Sequence, residues 1–85
     1  MFYYTYILKS VKNDKLYIGY TSDLRKRVKE HNAGKNISTK PFKPYKLIFY
    51  EAFLKKSDAK NRELYLKSGY GWRTIKTMLK KYFGE

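Results

Sequence analysis

The chain has no cysteine. That excludes disulfides and thiolate-held metals, and it is compatible with a reducing compartment. Acidic residues are scarce: seven Asp and Glu face twenty Lys and Arg, for a formal charge of +13. No multi-ligand spacing for zinc or calcium occurs anywhere. Long apolar runs are missing as well. The amino-terminal MFYYTYIL is too short to span a bilayer and has neither a basic leader nor a cleavage pattern, so a soluble, cytoplasmic protein is expected. No helical stretch joins a broad apolar face to a basic one, which argues against a membrane-surface role. There is no internal repeat. With 85 residues there is room for one small core, so residues 1–85 are expected to form a single domain and a monomer.

The cationic excess points to a polyanionic partner. Ten tyrosines interleave with the basic residues, and aromatic rings stack on bases, so nucleic acid is the leading partner class. The competing reading is a highly charged soluble domain with no polyanion.

The stretch LYIGYTSDLRKRVKEH, Leu16 to His31, organises the rest. Its first part alternates as a half-buried strand; Thr21, Ser22 and Asp23 then offer helix caps. The pattern predicts strands at Phe2–Leu8, Lys15–Tyr20 and Tyr45–Phe53. Helices are predicted at Leu24–Asn32, from a cap at Ser57 or Asp58 to Lys67 or Ser68, and at Trp72–Phe83. The first strand is apolar on both faces and should be central. An Asn13-Asp14 turn would put Tyr6, Tyr17 and Gly19 on one face. In the third strand, Leu47, Phe49 and Glu51 should alternate with Ile48, Tyr50 and Ala52. Gly34 is a natural helix stop, Lys35–Pro44 reads as a basic loop without regular structure, and Trp72 is expected to bury its ring. The order ββαβαα predicts an α+β fold, a three-stranded antiparallel sheet flanked by helices.

Each residue that can carry chemistry has a plainer competitor. Tyr6 and Tyr17 are structural unless positive charge, a metal or a proton relay assists the phenol. Gly19 marks close backbone approach or a bulge. Arg27 belongs to a solvated basic face, or leans toward the sheet with Leu24 and His31 to clamp a phosphate. His31 complements the helix end or joins the site. Glu63 pairs with Lys67 four residues on, or binds a hard cation such as magnesium, for which one carboxylate suffices.

Taken in order, these residues resemble the GIY-YIG nuclease superfamily, and most closely its small bacterial members. Tyr4-Thr5-Tyr6 stands at the first tripeptide, with Tyr4 in place of glycine and Thr5 in place of isoleucine; Tyr17-Ile18-Gly19 matches the second. Arg27, His31 and Glu63 fall at family positions, and EHNAGKNISTK and NRELYLKSGYG look like the small-protein branch. The resemblance spans essentially the whole chain. It implies a divalent-metal-dependent endonuclease acting on DNA, with branched, flapped or damaged forms as candidate substrates. Glu63 would hold Mg2+ or Mn2+, and Arg27 would neutralise the transition state. One of Tyr6, Tyr17 or His31 would position or deprotonate the water. Gly19 would admit the nucleic-acid backbone. Lys26, Lys29, Lys35, Ser38, Thr39 and Lys40 are expected phosphate contacts. Two rival readings are a nucleic-acid-binding module of the same fold that cleaves slowly or not at all, and an RNA-binding accessory protein.

Overall fold

The computed structural model describes residues 1–84. Strands β1 (Tyr3–Ser10), β2 (Leu16–Thr21) and β3 (Tyr45–Phe53) combine with helices α1 (Leu24–Asn32), α2 (Lys56–Lys67) and α3 (Gly71–Met78) in the order ββαβαα. The fold is α+β. The sheet is antiparallel with strand order β2-β1-β3. Among the described residues no helix is long and apolar enough to cross a membrane.

β1 is central because both of its faces need cover. Tyr6 and Leu8, with Tyr45, form a core under α1 that takes in Tyr17, Leu24, Val28 and Leu47. On the other face Ile7 packs with Leu66 and Ile75 from α2 and α3. Each such side chain, fully removed from water, contributes about 1.5–3 kcal/mol. Thr5, also buried, donates its hydroxyl proton to the Ala59 carbonyl of α2 at 2.6 Å. Arg62 of α2 meets Glu51 of β3 at 2.7 Å.

The hairpin differs from a two-residue turn. Ser10 and Lys15 close a longer loop, with Asp14 at φ 62°, and Tyr6 stands opposite Gly19. A two-residue turn at Asn13-Asp14 would set Tyr6 opposite Thr21, two positions away. A shift of two leaves each side chain on its original face, so Tyr6, Tyr17 and Gly19 still share one.

In β3 the expected alternation fails. Ile7 pairs with Phe49 and Leu8 with Leu47, which leaves Ile48 as the extra residue of a bulge. Phe49 and Ile48 therefore turn toward α2 and α3, while Leu47 joins the α1 side. A bulge inserts one residue into one strand and flips the parity beyond it.

Asp23 caps α1, accepting from the Lys26 amide at 3.2 Å, and Gly34 follows its end at φ 77°. α2 starts two or three residues earlier than a Ser57 or Asp58 cap would allow. Lys55 is its N-cap, without a side-chain bond, and Asp58 lies in the first turn, where an acid complements the helix dipole. Within Lys35–Pro44, Lys40–Phe42 forms one 3-10 turn.

α3 ends at Met78 rather than Phe83, and turns continue the chain. Leu79 and Phe83 still reach the core. Trp72 does not: it is 51% exposed, because Gly71 and Ile75 occupy the inward stripe and Trp72 is rotated about 100° from it. Gly71 lets the α2–α3 corner close, since a Cβ there would collide with the Leu66 carbonyl, whereas Gly69 has open space around it. Gly71→Ala should lower stability by about 1–3 kcal/mol, and Gly69→Ala should leave it unchanged or raise it by up to about 1 kcal/mol. Urea unfolding midpoints of the two variants check this.

Candidate active site

Three elements meet at Tyr6. β1 carries it in the middle of the sheet; β2 places Gly19 opposite; α1 supplies Arg27 and His31 from one face. A Cβ on Gly19 would occupy the space of the Tyr6 ring and hydroxyl. Gly19 is buried, so its missing side chain serves Tyr6. This corrects the expectation that Gly19 admits a nucleic-acid backbone.

The Tyr6 hydroxyl lies 2.8 Å from His31 Nε2, and His31 Nδ1 lies 2.8 Å from Thr39 Oγ1. All three residues are buried. Thr39 Oγ1 in turn is 3.4 Å from the Asn36 carbonyl. One tautomer gives every proton an acceptor: Tyr6 donates to Nε2, Nδ1–H donates to Thr39, and Thr39 donates to Asn36. The opposite tautomer leaves the Tyr6 proton without an acceptor. Thr39 is thus a buried partner of His31. It is not the surface phosphate contact expected from the loop's composition.

Burial pushes the Tyr6 phenol up to about 12; the Arg27 guanidinium beside it works the other way, and Tyr17 and, least of all, Glu63 add to the rise. Burial, reinforced by Arg27, lowers the His31 pKa below its ordinary value, with Glu30 opposing. At neutral pH both groups are uncharged. Neither is open to water, which corrects the expectation that either could take a proton from water directly. Tyr17 is different. It is half-buried, its ring packs edge-on to His31 at 4.8 Å between centroids, and its hydroxyl has no protein partner among the described residues.

Arg27 leans inward, as its shared face with Leu24 and His31 predicts. Its side chain is one-third exposed and bonds Glu30 at 3.2 Å; Tyr6 and Tyr17 are its other neighbours. Glu63 projects from α2 with its side chain 20% exposed and bonds Lys67 at 2.8 Å. It is therefore paired as the plain reading expects, yet near enough for its charge to reach Tyr6.

Among the described residues no three His, Cys, Asp or Glu gather to hold a metal. The donor chemistry at Glu63 is one hard carboxylate with access to solvent. That set fits magnesium or manganese, which keep several waters and share substrate phosphate oxygens; it does not fit zinc or calcium. Lys67 competes for the same oxygens.

Lys26, Lys29 and Lys35 border a shallow basin of about 420 Å³ on the outer side of α1, with Asp23 and Glu30 among them. Ser38 and Lys40 are exposed.

Residues 2–76 match the GIY-YIG catalytic domain. The chain belongs to the GIY-YIG family. A UPF0213 protein of Clostridium perfringens is 45% identical over 65 residues, covering 75% of this chain and 69% of that one. A UPF0213 protein of Staphylococcus haemolyticus is 42% identical over 67 residues, covering 78% and 80%. The solution NMR structure of a UPF0213 protein from Bacillus halodurans superimposes with a TM-score of 0.56 at 32% identity, covering 92% of this chain and 85% of that one.

Within this GIY-YIG domain, sequence reasoning missed the partners that hold the site. Glu30 stands three residues from Arg27 on one helix, a signal that was available. The Thr39–His31 bond carries no local signal, because it joins a loop to a helix.

The lowered pKa of His31 has a consequence for stability. Between its folded value and the ordinary 6.5, the unfolded chain binds more protons than the folded one. Stability is therefore complete above about pH 6.5 and falls as pH drops below it. Urea midpoints should decline from about pH 7.5 to about pH 5.5, and His31→Gln should flatten that decline. An equal slope in the variant would remove His31 as its source.

Proposed function

We propose that this protein is a divalent-metal-dependent endonuclease that hydrolyses phosphodiester bonds in DNA, branched, flapped or damaged forms included. The observation that carries the reading is that a guanidinium from α1, Arg27, stands beside the buried Tyr6 phenol and a carboxylate from α2, Glu63, is near enough for its charge to act on it. Family membership supports it, as does the formal charge of +13.

Hydrolysis joins a water oxygen to phosphorus and breaks a P–O bond, and the departing oxygen takes a proton. Arg27, charged at neutral pH, meets the negative charge that builds on the phosphoryl oxygens. Tyr17, the phenol open to solvent, accepts a hydrogen bond from the attacking water and orients it. Tyr6 and His31 act behind them: their buried bond holds α1 on the sheet and sets where Arg27 points. Glu63 would hold the Mg2+ or Mn2+ ion, which when bound polarises the phosphoryl oxygen as a Lewis acid. Lys26, Lys29, Lys35, Ser38 and Lys40 supply the surface along which the backbone lies, without reading sequence. Binding should weaken steeply with salt.

The Glu63–Lys67 ion pair favours a second reading, a module that binds nucleic acid but cuts slowly, because the ammonium already occupies the carboxylate. Cleavage of plasmid and branched DNA with magnesium or manganese decides between them. Glu63→Gln and Arg27→Ala should each slow cleavage by about a hundredfold or more while binding changes far less. Undiminished cutting by both variants would refute the assignment. An inert wild type that binds DNA would establish the module.

Replacing Tyr17 by Phe should cost kcat more than KM, whereas Tyr6→Phe should also lower the unfolding free energy, by about 1–3 kcal/mol, because His31 Nε2 is left buried without a donor. Steady-state kinetics and urea unfolding on the same preparations separate the two tyrosines.

A further inference from the structure

A groove of about 630 Å³ runs between the open edge of β2 and the corner where α2 meets α3. Leu16, Ile18, Leu66 and Ile75 give it an apolar floor, Trp72 lines it, and Lys15 and Lys67 stand on it as cations against one acid, Asp14, which itself lies 3.8 Å from Lys9. An apolar trough with ammonium groups beside it is complementary to a nucleotide, whose base is flat and apolar and whose phosphate is anionic.

Trp72 has the exposure that such a role needs. Lys76 Nζ lies 5.5 Å from its ring centroid, and Phe83 meets it edge-on at 5.9 Å. These contacts hold the indole in place while half of its surface stays open to solvent. Two residues link the groove to the site around Tyr6: Tyr17 lines the groove's β2 edge while its ring packs against His31, and Lys67 reaches from the groove to Glu63 at 2.8 Å.

We propose that this groove seats an unpaired base of a DNA strand, stacked on Trp72, next to the scissile phosphate. The proposal rests on the phosphodiesterase reading and narrows its substrate class. A fully paired duplex keeps its base faces stacked on one another and offers none to the indole. A strand end, flap or displaced nucleotide does. The favoured substrate is therefore DNA with an unpaired nucleotide adjoining the cleaved bond, with Lys15 and Lys67 neutralising its flanking phosphates. A second copy of the chain is the rival occupant; with seven acids against twenty Lys and Arg it repels the two lysines on balance.

Trp72 is the sole tryptophan, so its fluorescence reads the groove directly. Glu63→Gln protein, used to keep strands intact, is titrated with a short single-stranded DNA, the same strand with abasic positions, its duplex and its RNA counterpart. Saturable quenching by the single strand, with little from the abasic strand or the duplex, is expected. By anisotropy of a labelled strand, Trp72→Leu should lose about tenfold in single-strand affinity and little for duplex. Equal quenching by the abasic strand, quenching by RNA alone, or unchanged affinity of Trp72→Leu would overturn the proposal. So would a fluorescence change that depends on protein concentration without DNA, which marks a second copy in the groove. Gel assays of the wild type keep the two readings apart. Base-dependent quenching without cleavage upholds the groove and removes the hydrolase; cleavage without quenching removes the groove alone.

Discussion

The structure depends on one close contact, the Tyr6 hydroxyl seated over Gly19 and bonded to His31. β1 contributes the phenol, β2 the missing Cβ and α1 the imidazole, so one side-chain contact joins three elements. Thr39 extends the network into the loop after α1. A buried polar chain of this kind stabilises only when every proton has an acceptor. Here it does, in one tautomer. That requirement places α1 on the sheet to within hydrogen-bond tolerance, and with it Arg27. The tyrosine and the histidine do their work by being sealed in, and the neighbouring Tyr17 and Arg27 keep contact with solvent.

Charge is handled differently at the surface and at the site. Most of the cations stand in water, where they repel one another and attract a polyanion. Each glutamate within the described residues meets one cation: Glu30 meets Arg27, Glu51 meets Arg62 and Glu63 meets Lys67. Two of these pairs adjoin Tyr6, so the field there is set by local pairing more than by the net charge. The carboxylate at 63 is a structural partner of Lys67 whose charge also reaches the phenol, and a cation that outcompetes the ammonium can take its oxygens.

Much of the fold was legible because periodicity and turn chemistry are local. β1 could be recognised as central from its two apolar faces, and α1 from Asp23, its apolar spacing and Gly34. The errors lie where a local pattern met a tertiary constraint. The bulge at Ile48 inverted the alternation of β3, and nothing in YKLIFYEAF announces it. Trp72 was expected inside because tryptophan is large and apolar; the corner at Gly71 rotated it out. Thr39 has polar neighbours that suggest a surface hydroxyl, yet the loop folds back over His31.

The sequence by itself determined the element order, the pairing face shared by Tyr6, Tyr17 and Gly19, and the set of residue types from which a site can be built. Those properties follow from spacing along the chain, which survives even a two-residue slip of the hairpin. Only the tertiary structure decided which phenol is buried and which meets water, that Gly19 serves a neighbour's ring, and that an indole lies open at the corner of α2 and α3. These depend on distances across strands and loops, and such distances are set by packing among residues far apart in the chain.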